Sequence, residues 1–211
     1  MQVAILLFPG AAADDVTGHC AVMARLSGAE LCFVAEEPGM VASDDDAVPL
    51  VATRALSEVT APDVLFVPGG PGVKQALEQH DVLRWIHAAD RASRWTLAVR
   101  SGARLLAAAG VLDDELTAVE DVGTGGPARP PGAEGEPPRR VPVPIVLEGR
   151  MIAAHGPLPM HDVAMALAAH IMGAEIALLT RSARSHDVSG PLPFIPDDPS
   201  GLCLVPPAWD S

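Results

Sequence analysis

The stretches PDVLFVPGGPG at residues 62–72 and WTLAVRSGARLLAAAGVL at residues 95–112 decide the fold. Each contains a short apolar run, which is typical of a strand that is buried on both faces of a parallel sheet. The second run passes without a loop into an Ala- and Leu-rich helix, and that helix ends at Gly110, a residue type common after helices. A strand that leads directly into a helix predicts an α/β fold.

The same alternation of strands and helices extends outward from these two stretches. Strands are predicted at residues 2–8, 30–35, 63–67 and 95–99, more weakly at 48–53, and as a hairpin at 145–147 and 151–154. Helices are predicted at residues 16–26, 73–78, 82–92, 101–109, 162–172 and 174–181. This order predicts a doubly wound, mostly parallel sheet with helices on both faces.

The regular pattern stops between residues 122 and 144, where the chain is rich in Gly and Pro. Such a composition does not form a regular helix, and the segment is too long for an ordinary connection. We therefore expect either a disordered loop or a lid. The prediction is a single domain over residues 1–181, followed by a Pro-rich tail at 182–211.

The composition limits the classes of function. The formal net charge of −13 disfavours nucleic acid as a partner, because an acidic surface repels phosphates. Three scattered cysteines, Cys20, Cys32 and Cys203, have neither the spacing of a zinc site nor that of a redox pair. No apolar run is long enough to span a bilayer, and the first residues lack the basic region of a signal peptide. We expect a cytoplasmic protein without membrane contact.

Candidate functional residues follow the predicted strands directly. In an open α/β sheet, ligands bind outside the carboxyl ends of the strands, so residues that are far apart in sequence can share one site. The candidates are Asp14, Asp15, Gly69, Gly70, Arg100, Ser101 and His155.

Two of these positions each allow a chemical and a structural role. Asp15 could act as a general acid or base if burial raises its pKa, or it and Asp14 could cap the helix that follows. The turn that contains Gly69 and Gly70 could present backbone N–H groups as an oxyanion hole, or it could be a tight turn only. It has neither a P-loop Lys nor the G-x-G-x-x-G order, so nucleotide binding is not predicted.

Arg100 lies at the elbow between a strand and a helix, where a nucleophile is usual. A guanidinium remains protonated and cannot attack, but it can hold a carboxylate or an oxyanion through two hydrogen bonds. Alternatively, Arg100 could form a salt bridge with Asp15 that blocks the site. The sequence leaves both alternatives open.

Other groups near this turn give weaker signals. Ser101 is a conceivable nucleophile without a nearby activating His, so support of the helix start is the simpler role. Cys20 and His19 are adjacent on a predicted helix and point in different directions, which favours a packed thiol. His155 and His161 lack further ligands, so we predict no metal site.

The chain resembles the ThiJ/PfpI family, a group similar to class I glutamine amidotransferases, and within it the isonitrile hydratase branch. The motifs that carry the resemblance are AILLFPGAAADDVTG, VAEEPG, PDVLFVPGGPG, WTLAVRSGARLLAAAGVL and EGRMIAAHGPLPMHDVAMALAAHIMGAE. Together they extend over most of residues 2–179. The resemblance implies a flavodoxin-like sheet, frequent homodimers and, for isonitrile hydratases, cofactor-independent addition of water to an isonitrile to give an N-substituted formamide.

The resemblance also implies roles for individual residues. Asp15 matches the family's acidic residue and Gly70 its oxyanion turn, while Ser101 matches the hydroxyl residue after the elbow and Asp162 an acid in a later helix. Arg100 stands where the family has its cysteine. In addition, residues 118–120 lack the His that often follows the elbow helix, and the Gly/Pro segment replaces a helix that covers the site. Thiol-dependent hydratase, protease and deglycase activities are therefore not expected.

We expect a cofactor-independent enzyme that acts on a small molecule by acid/base chemistry. Asp15 would move a proton and Arg100 would hold an oxygen, with Gly70, Ser101, Asp14 and His155 assisting as oxyanion or substrate contacts. Hydration, elimination, isomerisation and ring closure all fit this set. The alternative is a protein that kept the fold, lost catalysis, and binds a small molecule or acts as a scaffold.

Overall fold

The structure, a computed structural model, describes residues 1–26, 28–45, 47–112, 145–148 and 151–154. The strands are β1 (Gln2–Leu6), β2 (Glu30–Ala35), β3 (Gly39–Val41), β4 (Leu50–Ala52), β5 (Arg54–Ala55), β6 (Val64–Val67), β7 (Trp95–Val99), β8 (Ile145–Glu148) and β9 (Met151–Ala154). The helices are α1 (Ala13–Met23), α2 (Val73–Ala76), α3 (His80–Ala92) and α4 (Gly102–Ala108), with a 3₁₀ turn at Leu56–Glu58.

Within the described residues, seven strands form the main sheet in the order β5-β2-β1-β6-β7-β9-β8. All neighbours are parallel except β8 and β9, which form the predicted antiparallel hairpin. The central order β2-β1-β6-β7-β9 is that of a flavodoxin-like sheet, in which the order of strands along the sheet reverses between β1 and its neighbour β6. The predicted fold class is confirmed, and the reversal defines the ligand crevice at the carboxyl ends of these two strands.

Helices lie on both faces of the sheet because the connections that follow β1 and β6 run toward opposite edges of the sheet. The connection from β1 to β2 runs toward one edge of the sheet, and the connection from β6 to β7 runs toward the other. Since such parallel crossovers are right-handed, α1 lies on one face and α3 on the other. The strands between them are buried: every residue of β6 is inaccessible, and so are four of the five residues of β7.

The connection between β2 and β6 contains the strand that was predicted more weakly at residues 48–53, which is β4 (Leu50–Ala52). It pairs antiparallel with β3, which was not predicted, and the two form a separate hairpin. The pattern of residues 36–41 gave no sign of β3, because Gly39 and Met40 are exposed and lack alternation. The described residues of this connection contain no α-helix.

Helix ends differ from the prediction by a few residues. The first helix was expected from residue 16 with Asp14 or Asp15 as its cap, but α1 begins at Ala13, and Ala12 occupies the capping position. The N–H group of Ala13 instead donates to Asp44 Oδ1 (2.8 Å), from the connection that follows β3. The capping interpretation was wrong because the acceptor comes from a distant loop.

Several predictions fall outside the described residues. They are the Gly/Pro segment at 122–144, the helices at 162–172 and 174–181, the tail at 182–211, and the candidates His155 and Asp162. The division into one domain and a tail stays a prediction. No helix in the described part of the chain is long and apolar enough to cross a membrane.

Candidate active site at the strand-to-helix elbow

The loops after β1, β6 and β7 meet through hydrogen bonds between residues far apart in sequence. Gly69 O accepts from Ala12 N (2.8 Å), and Gly69 N donates to Asp15 Oδ2 (2.9 Å). Gly70 N donates to Ser101 Oγ (3.0 Å). Asp15, Gly69, Gly70, Arg100 and Ser101 therefore form one constellation, the elbow site, at the position that the sheet order predicts.

Asp15 is a fully buried carboxylate in this site, with none of its side chain exposed. Its Oδ2 atom accepts from Gly69, and its Oδ1 atom accepts from Arg100 Nε (2.9 Å) and from Arg100 Nη2. Burial raises the pKa of Asp15 above its usual value, because the hydrogen bond and charge of Arg100 and the Gly69 N–H group offset only part of the desolvation. Asp15 is thus a buried carboxylate with Arg100 as its counter-charge, and it binds a proton more readily than an exposed Asp does.

Arg100 adopts the strained backbone of an elbow. Its φ of 49° makes it the one residue other than glycine with a positive φ in the described part of the chain. Such conformations cost free energy and persist where the surroundings impose them. The turn after Arg100 is closely packed, since a Cβ on Gly102 would lie 2.5 Å from Val67 O. The elbow predicted from sequence is present, with a guanidinium where a nucleophile would stand.

The Arg100 side chain contacts Asp15 in the site but is also partly exposed to solvent. Its Nε and Nη2 atoms face Asp15, yet 43% of the side chain is exposed. Its Nη1 atom donates to none of the described residues, although a guanidinium carries five N–H donors. The salt bridge predicted as one alternative is present, and it closes the site around Asp15 while leaving Arg100 accessible.

The backbone of Gly70 and the hydroxyl of Ser101 form hydrogen bonds with each other. The Ser101 hydroxyl accepts from Gly70 N and lies 3.3 Å from Gly70 O, to which it donates. Gly70 has a φ of 129°, and a Cβ there would lie 2.4 Å from Gly10 O, so the turn requires glycine. The N–H group expected in an oxyanion hole is therefore engaged by a side chain.

Two other polar residues of α1, Asp14 and His19, are not part of the elbow site. Asp14 is exposed on α1, whereas its neighbour Asp15 is buried, so the structure does not bring Asp14 into the site. His19 is buried and stacks on Phe66 with a centroid distance of 4.4 Å. Its Nδ1 atom lies 2.7 Å from Asp15 O, and since a carbonyl only accepts, Nδ1 carries the proton in this bond.

Cys20 does not form a reactive pair with His19. Burial raises the pKa of the Cys20 thiol to about 11, which keeps it protonated and poorly nucleophilic at neutral pH. Desolvation also raises the pKa of Cys32, which lies on β2. Among the described residues, no group of three or more potential metal ligands is present.

Asp44 is the residue near the site that the sequence analysis missed. It caps α1 through Ala13 N, and its backbone N–H donates to Ala11 O (3.0 Å). Its negative charge also contributes to the raised pKa of Asp15. The sequence held a weak signal only: an Asp in the acidic run at residues 44–46, 31 positions from its partner.

Comparison with known proteins places this geometry in a family. The model of the DJ-1/PfpI family matches residues 1–169. Isonitrile hydratase from Pseudomonas putida is 31% identical over 112 residues, which cover 53% of this chain and 49% of that protein. The chain thus spans about half the length of the curated relative that it matches.

Solved structures share the fold over most of the chain. A ThiJ/PfpI family protein from Pseudomonas syringae superposes with a TM-score of 0.72 at 23% identity, covering 90% of this chain and 76% of that one. Drosophila melanogaster DJ-1beta superposes with a TM-score of 0.66 at 18% identity, covering 86% of this chain and 96% of that one. The match of the family model over residues 1–169 shows that the chain belongs to the DJ-1/PfpI family.

Proposed function

We propose that the chain binds a small anionic molecule at the elbow site through Arg100, and that this binding is its primary activity. One observation carries the proposal: a guanidinium occupies the elbow, has one edge fixed by Asp15, and keeps 43% of its side chain exposed. A fixed guanidinium presents its remaining N–H groups in a defined direction, which lowers the entropy lost when a ligand binds.

The geometry of the two edges supports a carboxylate or a similar oxyanion as the ligand. Asp15 takes the edge formed by Nε and Nη2. The edge formed by Nη1 and Nη2 remains for a second acceptor, and two parallel N–H donors match the two oxygens of a carboxylate. Asp15 then acts as the positioning residue, because it holds the guanidinium of Arg100 and supplies the counter-charge at its Nε and Nη2 atoms.

The activity of the named relative is not expected here. Isonitrile hydratase resembles this chain over half its length, but the elbow holds Arg100 and no thiol. Cys20 and Cys32, the free cysteines in the described residues, both have raised pKa values. We therefore propose no covalent thiol intermediate, and we propose no cofactor.

Acid/base catalysis is the second candidate, and the raised pKa of Asp15 favours it. A carboxyl that titrates nearer to neutrality can exchange a proton with a substrate. In this structure both carboxylate oxygens are engaged, so catalysis would require Arg100 to turn toward the substrate and release Oδ1. Hydration, elimination, isomerisation or ring closure of a small molecule would suit a site that is freed in this way.

Titration with acetate and benzoate, followed by calorimetry, tests the binding proposal. Arg100→Met should weaken binding roughly tenfold or more, because it removes hydrogen bonds between charged groups. Arg104→Met is the matched control, since Arg104 is exposed one turn along α4. The Arg104→Met variant should bind the anions as tightly as the unmodified chain. Equal affinities for the two variants would contradict the proposal.

A turnover screen distinguishes the second candidate from the first. The screen would include isonitriles and carboxylate-bearing substrates of lyases and isomerases. Asp15→Asn should abolish any turnover but keep anion binding, because the amide oxygen can still accept from Gly69 or Arg100. Turnover that survives Asp15→Asn would exclude an acid/base role for this residue.

The small-molecule ligand, the homodimer and the cytoplasmic location all remain predictions.

A further inference from the structure

A second concave site lies beside the β3–β4 hairpin. Its volume is about 860 Å³, within the range of small-molecule sites, and it opens at the carboxyl ends of β1 and β2. The described residues between β2 and β6 form no α-helix, and residues of this connection line the site. We call this site the hairpin cleft.

The floor of the hairpin cleft is apolar. Its side chains come from the end of β1, the 3₁₀ turn and α3, and each is buried to 8% exposure or less: Leu7, Phe8, Leu56, Val82 and Trp85. The indole N–H group of Trp85 donates to Val59 O (2.7 Å), which fixes the ring. Met40 forms a wall of the cleft and is 80% exposed, although a large apolar side chain gains free energy from burial.

The rim of the hairpin cleft is acidic. Glu36, Glu37 and Asp81 line it, and no Lys or Arg is among its lining residues. Asp81 pairs with Arg84 and Glu36 accepts from Gln79 (3.4 Å), whereas Glu37 accepts from none of the described residues. Carboxylates around a concave, low-dielectric surface concentrate their potential inside it and attract cations.

The hairpin cleft shares no residue with the elbow site. The Pro9–Gly10 turn, which supplies Pro9 to the cleft, packs against the turn after β6 through the hydrogen bond from Gly72 N to Gly10 O (3.0 Å). The two sites also have opposite charge preferences, since Arg100 attracts anions and the acidic rim attracts cations. A simple anion should therefore prefer the elbow site, and a simple cation the hairpin cleft.

We propose that the hairpin cleft binds a small organic cation with an apolar body, such as an arylalkyl or alkyl ammonium. The ammonium would lie at the rim near Glu37 and Glu36, and the body would cover the floor and the side chain of Met40. The charge pattern selects this class, because a neutral molecule of the same shape gains only the apolar contacts and an anion is repelled.

Calorimetric titration with 2-phenylethylammonium tests the proposal, with 2-phenylethanol and 3-phenylpropanoate as the neutral and anionic comparators. We expect the ammonium to bind at least tenfold more tightly than the alcohol and the carboxylate to bind elsewhere or not at all. Raising the salt concentration should reduce that difference, because exposed charges are screened. Addition of acetate should not displace the ammonium, since the elbow site is separate.

Paired double variants locate the binding. Glu36→Gln with Glu37→Gln should weaken ammonium binding several-fold toward the affinity of the alcohol. Glu30→Gln with Glu78→Gln removes two exposed carboxylates that do not line the cleft, and it should leave the affinity unchanged. The proposal is overturned if the two double variants bind equally, if the alcohol binds as tightly as the ammonium, or if no ammonium binds.

Discussion

The elbow site and the hairpin cleft both lie at the carboxyl ends of strands, but they treat charge in opposite ways. In the elbow site, a buried carboxylate and a guanidinium from distant positions engage each other, and Ser101 engages Gly70. In the hairpin cleft, three carboxylates surround an apolar floor, and Glu37 is left without a hydrogen bond to the described residues. In the first site the polar groups bond to one another, whereas in the second Glu37 remains available to a ligand.

This difference shows that the carboxyl ends of one sheet can carry two sites of opposite charge. Arg100 in the position of a nucleophile turns the elbow from a reactive point into a fixed cation. The fold accommodates this cation because Asp15, which is buried opposite the elbow, acts as its counter-charge. Altering each part of this arrangement should affect the two regions unequally.

The largest effect is expected from Gly70→Ala, which breaks the elbow turn itself. A Cβ at this position would lie 2.4 Å from Gly10 O and 2.6 Å from Ala12 N, and the φ of 129° disfavours any side chain. We expect the free energy of unfolding to fall by more than about 3 kcal/mol. Urea denaturation followed by circular dichroism measures it.

Gly28→Ala is the matched control for that substitution. Gly28 also has a positive φ, 73°, but a Cβ there would meet no atom within 4 Å. It should therefore cost only the backbone term of about 1 kcal/mol. If the two variants lose equal stability, backbone strain alone would explain both, and the close packing around Gly70 would be unimportant.

A smaller loss is expected from Arg100→Met, which leaves the Asp15 carboxylate buried without its counter-charge. Removing one partner of a fully buried pair typically costs about 3–5 kcal/mol, but Arg100 is 43% exposed, so solvent already screens part of the interaction. We expect a loss of about 2 kcal/mol at neutral pH, measured by urea denaturation. Arg104→Met should change stability by less than about 0.5 kcal/mol, and a similar loss in both would refute the role of the pair.

The sequence predicted the elbow site better than the hairpin cleft. Short apolar strands and Gly-rich turns specify a flavodoxin-like sheet, and its topology alone brings residues 15, 70 and 100 together. The alternatives for Arg100 could not be resolved from sequence, because the Arg100–Asp15 bond depends on side-chain packing over 85 positions. Nor could the cleft be predicted, since β3 has no alternating pattern and the missing helix is recognised only once the sheet order is known.

The pH dependence of stability separates Asp15 from its exposed neighbour. The pKa of Asp15 is raised in the folded state, so the folded chain binds more protons than the unfolded chain between the ordinary value of 3.8 and the raised value. The free energy of unfolding should therefore decrease as pH rises through that interval. Asp15→Asn should remove this decrease in urea midpoints, whereas Asp14→Asn should keep it, and identical profiles would disprove the assignment.

The smallest effect tests the link between the two regions. Asp44 follows the β3 strand of the hairpin, which forms one side of the cleft, and its carboxylate accepts from Ala13 N at the start of α1, the helix that carries Asp15. Asp44→Ala removes an acceptor at a helix N-terminus and should cost about 1 kcal/mol in urea denaturation. Asp44→Asn keeps an acceptor oxygen and should lose less than half as much. Because Asp44 also adds negative charge near Asp15, both substitutions should lower the pKa of Asp15. If Asp44→Ala is neutral, the hairpin and the elbow helix are stabilised independently, and the two sites would then be free to change separately.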